Sequence, residues 1–317
     1  VLAKDKNLPL FNRAFVGTYA PGSTYKMSMV VAGIDSGVIN SETTVYDKGV
    51  FTKYPGFSVA CYYYSGEGMV HGSLNAADAL KVSCNYFFYD LGDKIRLSAI
   101  DSTAKALGLG EKTGIELPEQ TGHRANEETK KKLYSGDRSG WYKADQITAA
   151  IGQSDNSFTP MQLCNYTATL ANRGTRYKAT FLNRVVSADY RSLLYESEVS
   201  IMDTMEISDD AYLAYTKGME LVTKRTDEWS GTAYNTFKDY PINVAAKTGT
   251  ADTANNVSAN GAFVCYAPAE DPQIAIAVYG EKAGHGSSLA VIAKAMLDAY
   301  FDVGEIGDVT TYENQLS

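Results

Sequence analysis

The hydrophobic pattern changes period along the chain. Met27-Ser28-Met29-Val30-Val31-Ala32-Gly33-Ile34 is apolar on nearly every side, the pattern of a buried helix. Pro21-Gly22-Ser23 supplies its start and the region of Gly37 its end. Residues 4–20 read as an extended lead-in, and residues 38–72, rich in Gly, Tyr and Ser, as loops and short strands. Cap chemistry at Ser73-Leu74-Asn75 and the helical recurrence of Phe87, Phe88 and Leu91 predict helix over 73–92, with a break near Val82-Ser83-Cys84-Asn85. Residues 100–107 form a further helix, stopped by Gly108-Leu109-Gly110, and 111–145 is a polar surface excursion. Two helices follow, over 144–151 and from Thr159-Pro160-Met161 to Leu170.

Beyond residue 175 the pattern turns toward strands. Val185-Val186 and Val199-Ser200-Ile201 are short candidates, then a capped helix spans 208–223. Residues 243–248, 261–266 and 273–280 are strand-like, and an amphipathic helix over 287–301 follows. Helices in the middle and strands with a helix at the end predict α+β, not an alternating parallel sheet. There is no internal repeat or low-complexity segment.

Composition narrows the function classes. The 317 residues are 44% apolar with a net charge of −8, and the only basic run is Lys130-Lys131-Lys132, read as an exposed helix, so nucleic acid is not expected as a partner. No stretch approaches the ~18 apolar residues of a membrane span. The abrupt opening at Val1-Leu2-Ala3, without a signal peptide, is what a fragment of a longer protein would show. Cys61, Cys84, Cys164 and Cys265 contain no Cys-x-x-Cys, and His71, His123 and His285 are scattered, so no zinc site is expected. The 23 tyrosines suit an amphipathic, groove-lined surface.

The chemistry concentrates in three short motifs. Ser23 and Lys26 stand three apart at a helix start, so they share a face. A serine needs a base to become a nucleophile, and a lysine with a lowered pKa can be that base. Lys247-Thr248-Gly249-Thr250 ends an apolar strand-like run. As an edge strand it could bind an extended peptide, with Lys247 holding an anionic terminus and the Thr250 backbone N–H facing an oxyanion. Ser83-Cys84-Asn85 lies in the predicted helix break, 60 residues after Ser23. Each motif has a double: Ser102-Thr103-Ala104-Lys105 within a helix, Lys112-Thr113-Gly114 in a loop and Ser154-Asp155-Asn156 in a turn, all read as structural. Gly284-His285-Gly286 is read as a loop turn. Metalloprotease, phosphate-loop and Gly-x-Ser-x-Gly motifs are absent.

In this order, Asn12-Arg13-Ala14, Tyr19 to Lys26, His71-Gly72, Ser83-Cys84-Asn85, Gly152-Gln153 with Thr159-Pro160-Met161-Gln162, and Lys247 to Ala251 resemble the transpeptidase domain of class B penicillin-binding proteins. The resemblance covers nearly the whole chain and implies one domain over 1–317, with an antiparallel sheet flanked by helices and an all-helical subdomain. It implies a peptidoglycan D,D-transpeptidase with catalytic Ser23, Lys26, Ser83, Asn85 and Lys247. Thr248, Gly249 and Thr250 would bind substrate, and the backbone N–H groups of Ser23 and Thr250 would form the oxyanion hole. It further implies stem peptides ending in D-Ala-D-Ala as donors, covalent β-lactam inhibitors, a membrane glycosyltransferase partner and a location on the outer face of the cell membrane; no cofactor or metal is expected. A strand normally precedes Asn12-Arg13 in that family and is barely represented by Val1 to Ala3. Ala262 and Cys265 stand where family members often have a bulky aromatic and a glycine, and the first is expected to alter the cleft wall. Cys61 and Cys84 are expected to be free buried thiols rather than a disulfide. Rival readings are a serine β-lactamase, for which Glu127 or Glu128 would have to serve as deacylating base, and a non-catalytic β-lactam sensor.

Overall fold

The computed structural model describes residues 5–6, 8–226, 229–252 and 258–303. The strand expected at Val1 to Ala3 lies outside them. A 3-10 turn, Gly22–Tyr25, runs directly into α1 (Lys26–Asp35), in which every residue from Lys26 to Ile34 is buried. Short strands β1 (Val45–Asp47), β2 (Val50–Phe51) and β3 (Val59–Ala60), helix α2 (Tyr62–Glu67) and strand β4 (Gly72–Leu74) follow. Helices α3 (Ala76–Lys81), α4 (Asn85–Lys94), α5 (Leu97–Ala106), α6 (Glu127–Leu133), α7 (Lys143–Ala149) and α8 (Pro160–Ala171) come next. Then come strands β5 (Thr175–Tyr177), β6 (Arg184–Val186), β7 (Leu193–Glu196) and β8 (Ile201–Thr204), and helices α9 (Asp209–Leu221) and α10 (Tyr234–Phe237). The chain closes with strands β9 (Ala245–Ala251), β10 (Asn260–Ala267) and β11 (Ile274–Gly280) and helix α11 (Ala290–Phe301).

Local chemistry fixes many of these boundaries. Thr159 and Gln162 make a capping box at the start of α8, with Pro160 at its first turn. Asn75 caps α3 and Ser208 caps α9 through their side chains. Asn126 caps α6, which is the exposed helix expected around Lys130-Lys131-Lys132 within the surface excursion. Two elements, α2 and α10, were not expected; each is six residues or fewer, too short for a periodic signal.

The three long strands form one antiparallel sheet in the order β11-β10-β9, with β9 at its edge. Its side chains alternate between two cores. Ala245, Val264 and Tyr266 join the large core with α1, α4 and α8, while Val244, Ala246, Phe263 and Cys265 join a smaller core with α10 and α11. A sheet covered on both faces reads as a continuous apolar run, which is how β10 appears in the sequence. The α+β expectation is met. α1 runs through the large core, packed against α3, α4, α5 and α9. Its first turn therefore opens beside the edge strand β9.

Candidate active site

Two glycines bring the turn that carries Ser23 onto the sheet edge. Gly22 has φ +55, and a Cβ there would lie 2.5 Å from the Thr250 carbonyl oxygen. A Cβ on Gly249 would lie 2.8 Å from the Pro21 carbonyl oxygen. Backbone meets backbone at this junction, and only glycine permits it. A cleft of about 370 Å³ opens here, lined by Ser23, Ser83, Asn85, Thr248 and Thr250 among others.

Ser83 holds the centre. It follows α3 in the left-handed conformation, φ +55. The Ser83 N–H donates to Leu80 O at 3.2 Å and the Cys84 N–H to Ala79 O at 2.9 Å, a Schellman ending with serine where glycine is usual. Cys84 is then the N-cap of α4, and Asn85 is that helix's first residue. Lys26 Nζ donates to the Ser83 carbonyl (2.9 Å), to Ser83 Oγ (3.3 Å) and to Asn85 Oδ1 (2.7 Å). It also lies 5.0 Å from the Phe88 ring centroid. Lys247 Nζ reaches the same Ser83 Oγ at 2.8 Å and the Thr248 carbonyl at 2.9 Å. One hydroxyl therefore joins two lysines that are both fully buried. Gly249 carries no side chain into the cleft.

Burial lowers the Lys26 pKa to about 8, with the Cys84 and Cys61 thiols acting in the other direction. Lys247 is pushed well down, first by burial and then by the positive charge of Lys26. Two ammonium ions on one hydroxyl repel each other where no water screens them, so the lysines titrate as a pair and release a proton below the ordinary lysine range.

The doubles are structural, as expected. Ser102 bonds back to Ala99 O within α5. Thr113 and Gly114 bind the Glu119 carboxylate. Asn156 is buried and bonds to Ala125 N, Ala149 O and Gln153 O. Glu127 and Glu128 pair with Lys131 and Lys132 on the exposed face of α6, outside the cleft. Among the described cleft-lining residues Asp252 is the sole carboxylate, and it accepts a bond from Gln153 Nε2 at 3.1 Å. Ala262 is buried opposite Gly249 and does not line the cleft, so the expected change in the wall is not found. Cys265 faces the smaller core.

Sequence reasoning missed several lining residues: Tyr62, Thr232, Gln153, Asp252, His285 and Ser287. Thr232 Oγ1 lies 2.8 Å from Thr248 Oγ1. His285 does sit in a loop, as expected, but that loop forms one wall of the cleft. The abundance of tyrosine and the triplet Tyr62-Tyr63-Tyr64 were the available signals.

Behind Ser83 the spacing argument against a metal cluster does not hold in three dimensions. Pairing of β1 with β4 sets Asp47 opposite Gly72 and brings His71 to it; Cys61 and Cys84 arrive as N-caps of α2 and α4. The ligand atoms of Asp47, Cys61, His71 and Cys84 all lie within 4.8 Å of one another, and all four residues are buried. His71 Nδ1 is 2.8 Å from Asp47 Oδ2, and Cys61 Sγ donates to Cys84 Sγ at 4.0 Å, the two being free thiols, as expected, with no disulfide between them. Burial works against the charged forms of Asp47 and His71. Their mutual bond, together with the Gly49 and His71 N–H bonds to Asp47 and the Cys61 contact to His71, outweighs it, so Asp47 is lowered and His71 raised. Two thiols, an imidazole and a carboxylate are a donor set that could hold a divalent ion.

Residues 2–298 match the family model of the penicillin binding protein transpeptidase domain. The chain belongs to this family. It is 32% identical over 305 residues to the peptidoglycan D,D-transpeptidase MrdA of Acinetobacter baumannii, covering 92% of this chain and 43% of that protein. The MrdA of Escherichia coli K12 is 29% identical over 314 residues, 94% and 48% respectively. Among solved structures, Pseudomonas aeruginosa PBP2 in complex with WCK 5153 superposes with a TM-score of 0.80 at 26% identity, over 99% of this chain and 65% of that one. The chain thus spans about half the length of the curated relatives it matches.

Proposed function

We propose that this chain is one transpeptidase domain that cross-links peptidoglycan stem peptides through an acyl-enzyme on Ser23. The observation that carries the reading is the shared Ser83 hydroxyl, held between two fully buried lysines in a cleft that Ser23 also lines. Lys26, three residues from Ser23, takes the Ser23 proton as Oγ attacks the carbonyl of the penultimate D-Ala. The Ser23 and Thr250 N–H groups stabilise the oxyanion, aided by the helical turn beginning at Gly22. Ser83 passes a proton to the departing D-Ala nitrogen, and the C–N bond breaks. Asn85 fixes Lys26 and the substrate amide. Lys247, Thr248 and Thr250 bind the terminal carboxylate. An amine of a second stem then attacks the ester, the new amide forms, and the amine's proton returns to Ser23 through the same relay. A β-lactam follows the first half and stays attached.

The full-length protein would act on the outer face of the cell membrane beside a membrane glycosyltransferase. A PBP2 from Helicobacter pylori, 26% identical to this chain, has been solved in complex with MreC, which supports the expectation of an assembly partner. No helix among the described residues is long and apolar enough to cross a membrane. Among the described residues the β-lactamase reading is left with Asp252, which is engaged by Gln153, because Glu127 and Glu128 pair with lysines on the exposed face of α6. The test is incubation with a stem pentapeptide ending in D-Ala-D-Ala and an amine acceptor. Release of D-Ala with a cross-linked product, lost in Ser23→Ala, supports the proposal. Penicillin labelling without D-Ala release would instead indicate a sensor.

A further inference from the structure

Ser83 occupies a left-handed backbone conformation that a non-glycine residue rarely adopts, and such a residue persists only where its surroundings hold it. Two carbonyls flank its φ and ψ. Lys26 takes the one after, Ser83 O, at 2.9 Å. The Tyr62 hydroxyl takes the one before, Val82 O, at 2.7 Å. Val82 is the C-cap of α3, so its carbonyl has no helical partner of its own. Tyr62 comes from a separate element, α2, in which no residue is fully buried. Its backbone follows Cys61, whose sulfur lies 4.0 Å from that of Cys84 on the far side of Ser83. Its ring lines the cleft and lies 5.8 Å from the His71 ring. Tyr62 thus reaches the Ser83 turn from α2 while remaining part of the substrate wall.

We propose that Tyr62 is a positioning residue for acylation: its hydroxyl, by holding the Val82 carbonyl, keeps Ser83 left-handed with Oγ set between Lys26 and Lys247. The hydroxyl and the ring make separable contributions. The hydroxyl governs the chemical step, through Ser83; the ring governs binding, as part of the cleft. This inference rests on the transpeptidase reading, and the control separates the two. Wild-type protein must first acylate with a fluorescent penicillin on Ser23, and failure there would overturn the reading itself.

The experiment is stopped-flow acylation that resolves the pre-acylation dissociation constant K from the acylation rate k2. Tyr62→Phe keeps the ring and loses one neutral hydrogen bond, so k2 falls about fivefold to tenfold with K unchanged. Tyr62→Leu loses both contributions, so k2 falls and K rises together. Wild-type k2 in Tyr62→Phe would overturn the proposal. So would a fall in k2 that vanishes when both proteins are assayed equally far below their melting temperatures, which would assign the hydroxyl a purely structural role.

Discussion

At the scale of the residue, the chemistry depends on which lysine is neutral and where its lone pair points. The Lys26 pKa, lowered to about 8 by burial, sets the pH dependence. In the proposed mechanism the base is the deprotonated amine, so acylation should rise as pH increases through about 8 and level off above it. A rate of penicillin acylation that stays flat across that range would contradict the assignment. The stability sign follows from the same shift. Between about 8 and the ordinary lysine value the folded state holds fewer protons than the unfolded chain, so stability recovers as pH rises through that window. Lys26→Ala removes the base and should slow labelling by about 100-fold or more, with the far-UV circular dichroism retained. Near-normal labelling would remove Lys26 from the mechanism. Much of this site was legible in the sequence, because Ser23, Lys26, Ser83, Asn85 and Lys247 carry their chemistry in short local spacings. The left-handed backbone of Ser83 was not legible: a serine at a glycine-type helix ending leaves no mark in composition. The tyrosine triplet hinted that Tyr62 lines a groove, but not at its proposed contact, which depends on one hydroxyl meeting one carbonyl 20 residues away.

Among the elements, the decisive contact is between the nucleophile turn and the edge strand β9. Gly22 is required twice, by its positive φ and by the Thr250 carbonyl beside it. Gly22→Ala should therefore lower the melting temperature by several degrees, from about 1–2 kcal/mol of backbone strain plus the contact, and slow acylation by displacing Ser23. Wild-type melting and labelling in that variant would show that the junction is looser than described. The long strands and helices were readable from their periods. The quartet around His71 was not, because Asp47, Cys61 and Cys84 are brought together by a three-residue strand pairing and two helix caps. Thiol titration of the denatured protein should give four free cysteines with or without reductant. A lower count without reductant would indicate a disulfide, with Cys61 and Cys84 the nearest pair.

On the scale of the whole molecule, two cores share one sheet, and the cleft opens where the larger core's central helix meets that sheet's free edge. Nearly all of α1 is apolar and buried, so the one cation it carries into the core is held by the groups that surround it. The fold thereby supplies what a serine–lysine pair requires: a dry setting for the base, a helical turn at the nucleophile and an edge strand for an extended peptide. The most direct measurement is the intact mass of the protein after mixing with benzylpenicillin, followed over hours, with the adduct mapped by peptide. A single long-lived adduct on the peptide containing Ser23, absent in Ser23→Ala, is the predicted result. A folded protein that forms no adduct, or one that carries it on another residue, would contradict the assignment of Ser23 as nucleophile.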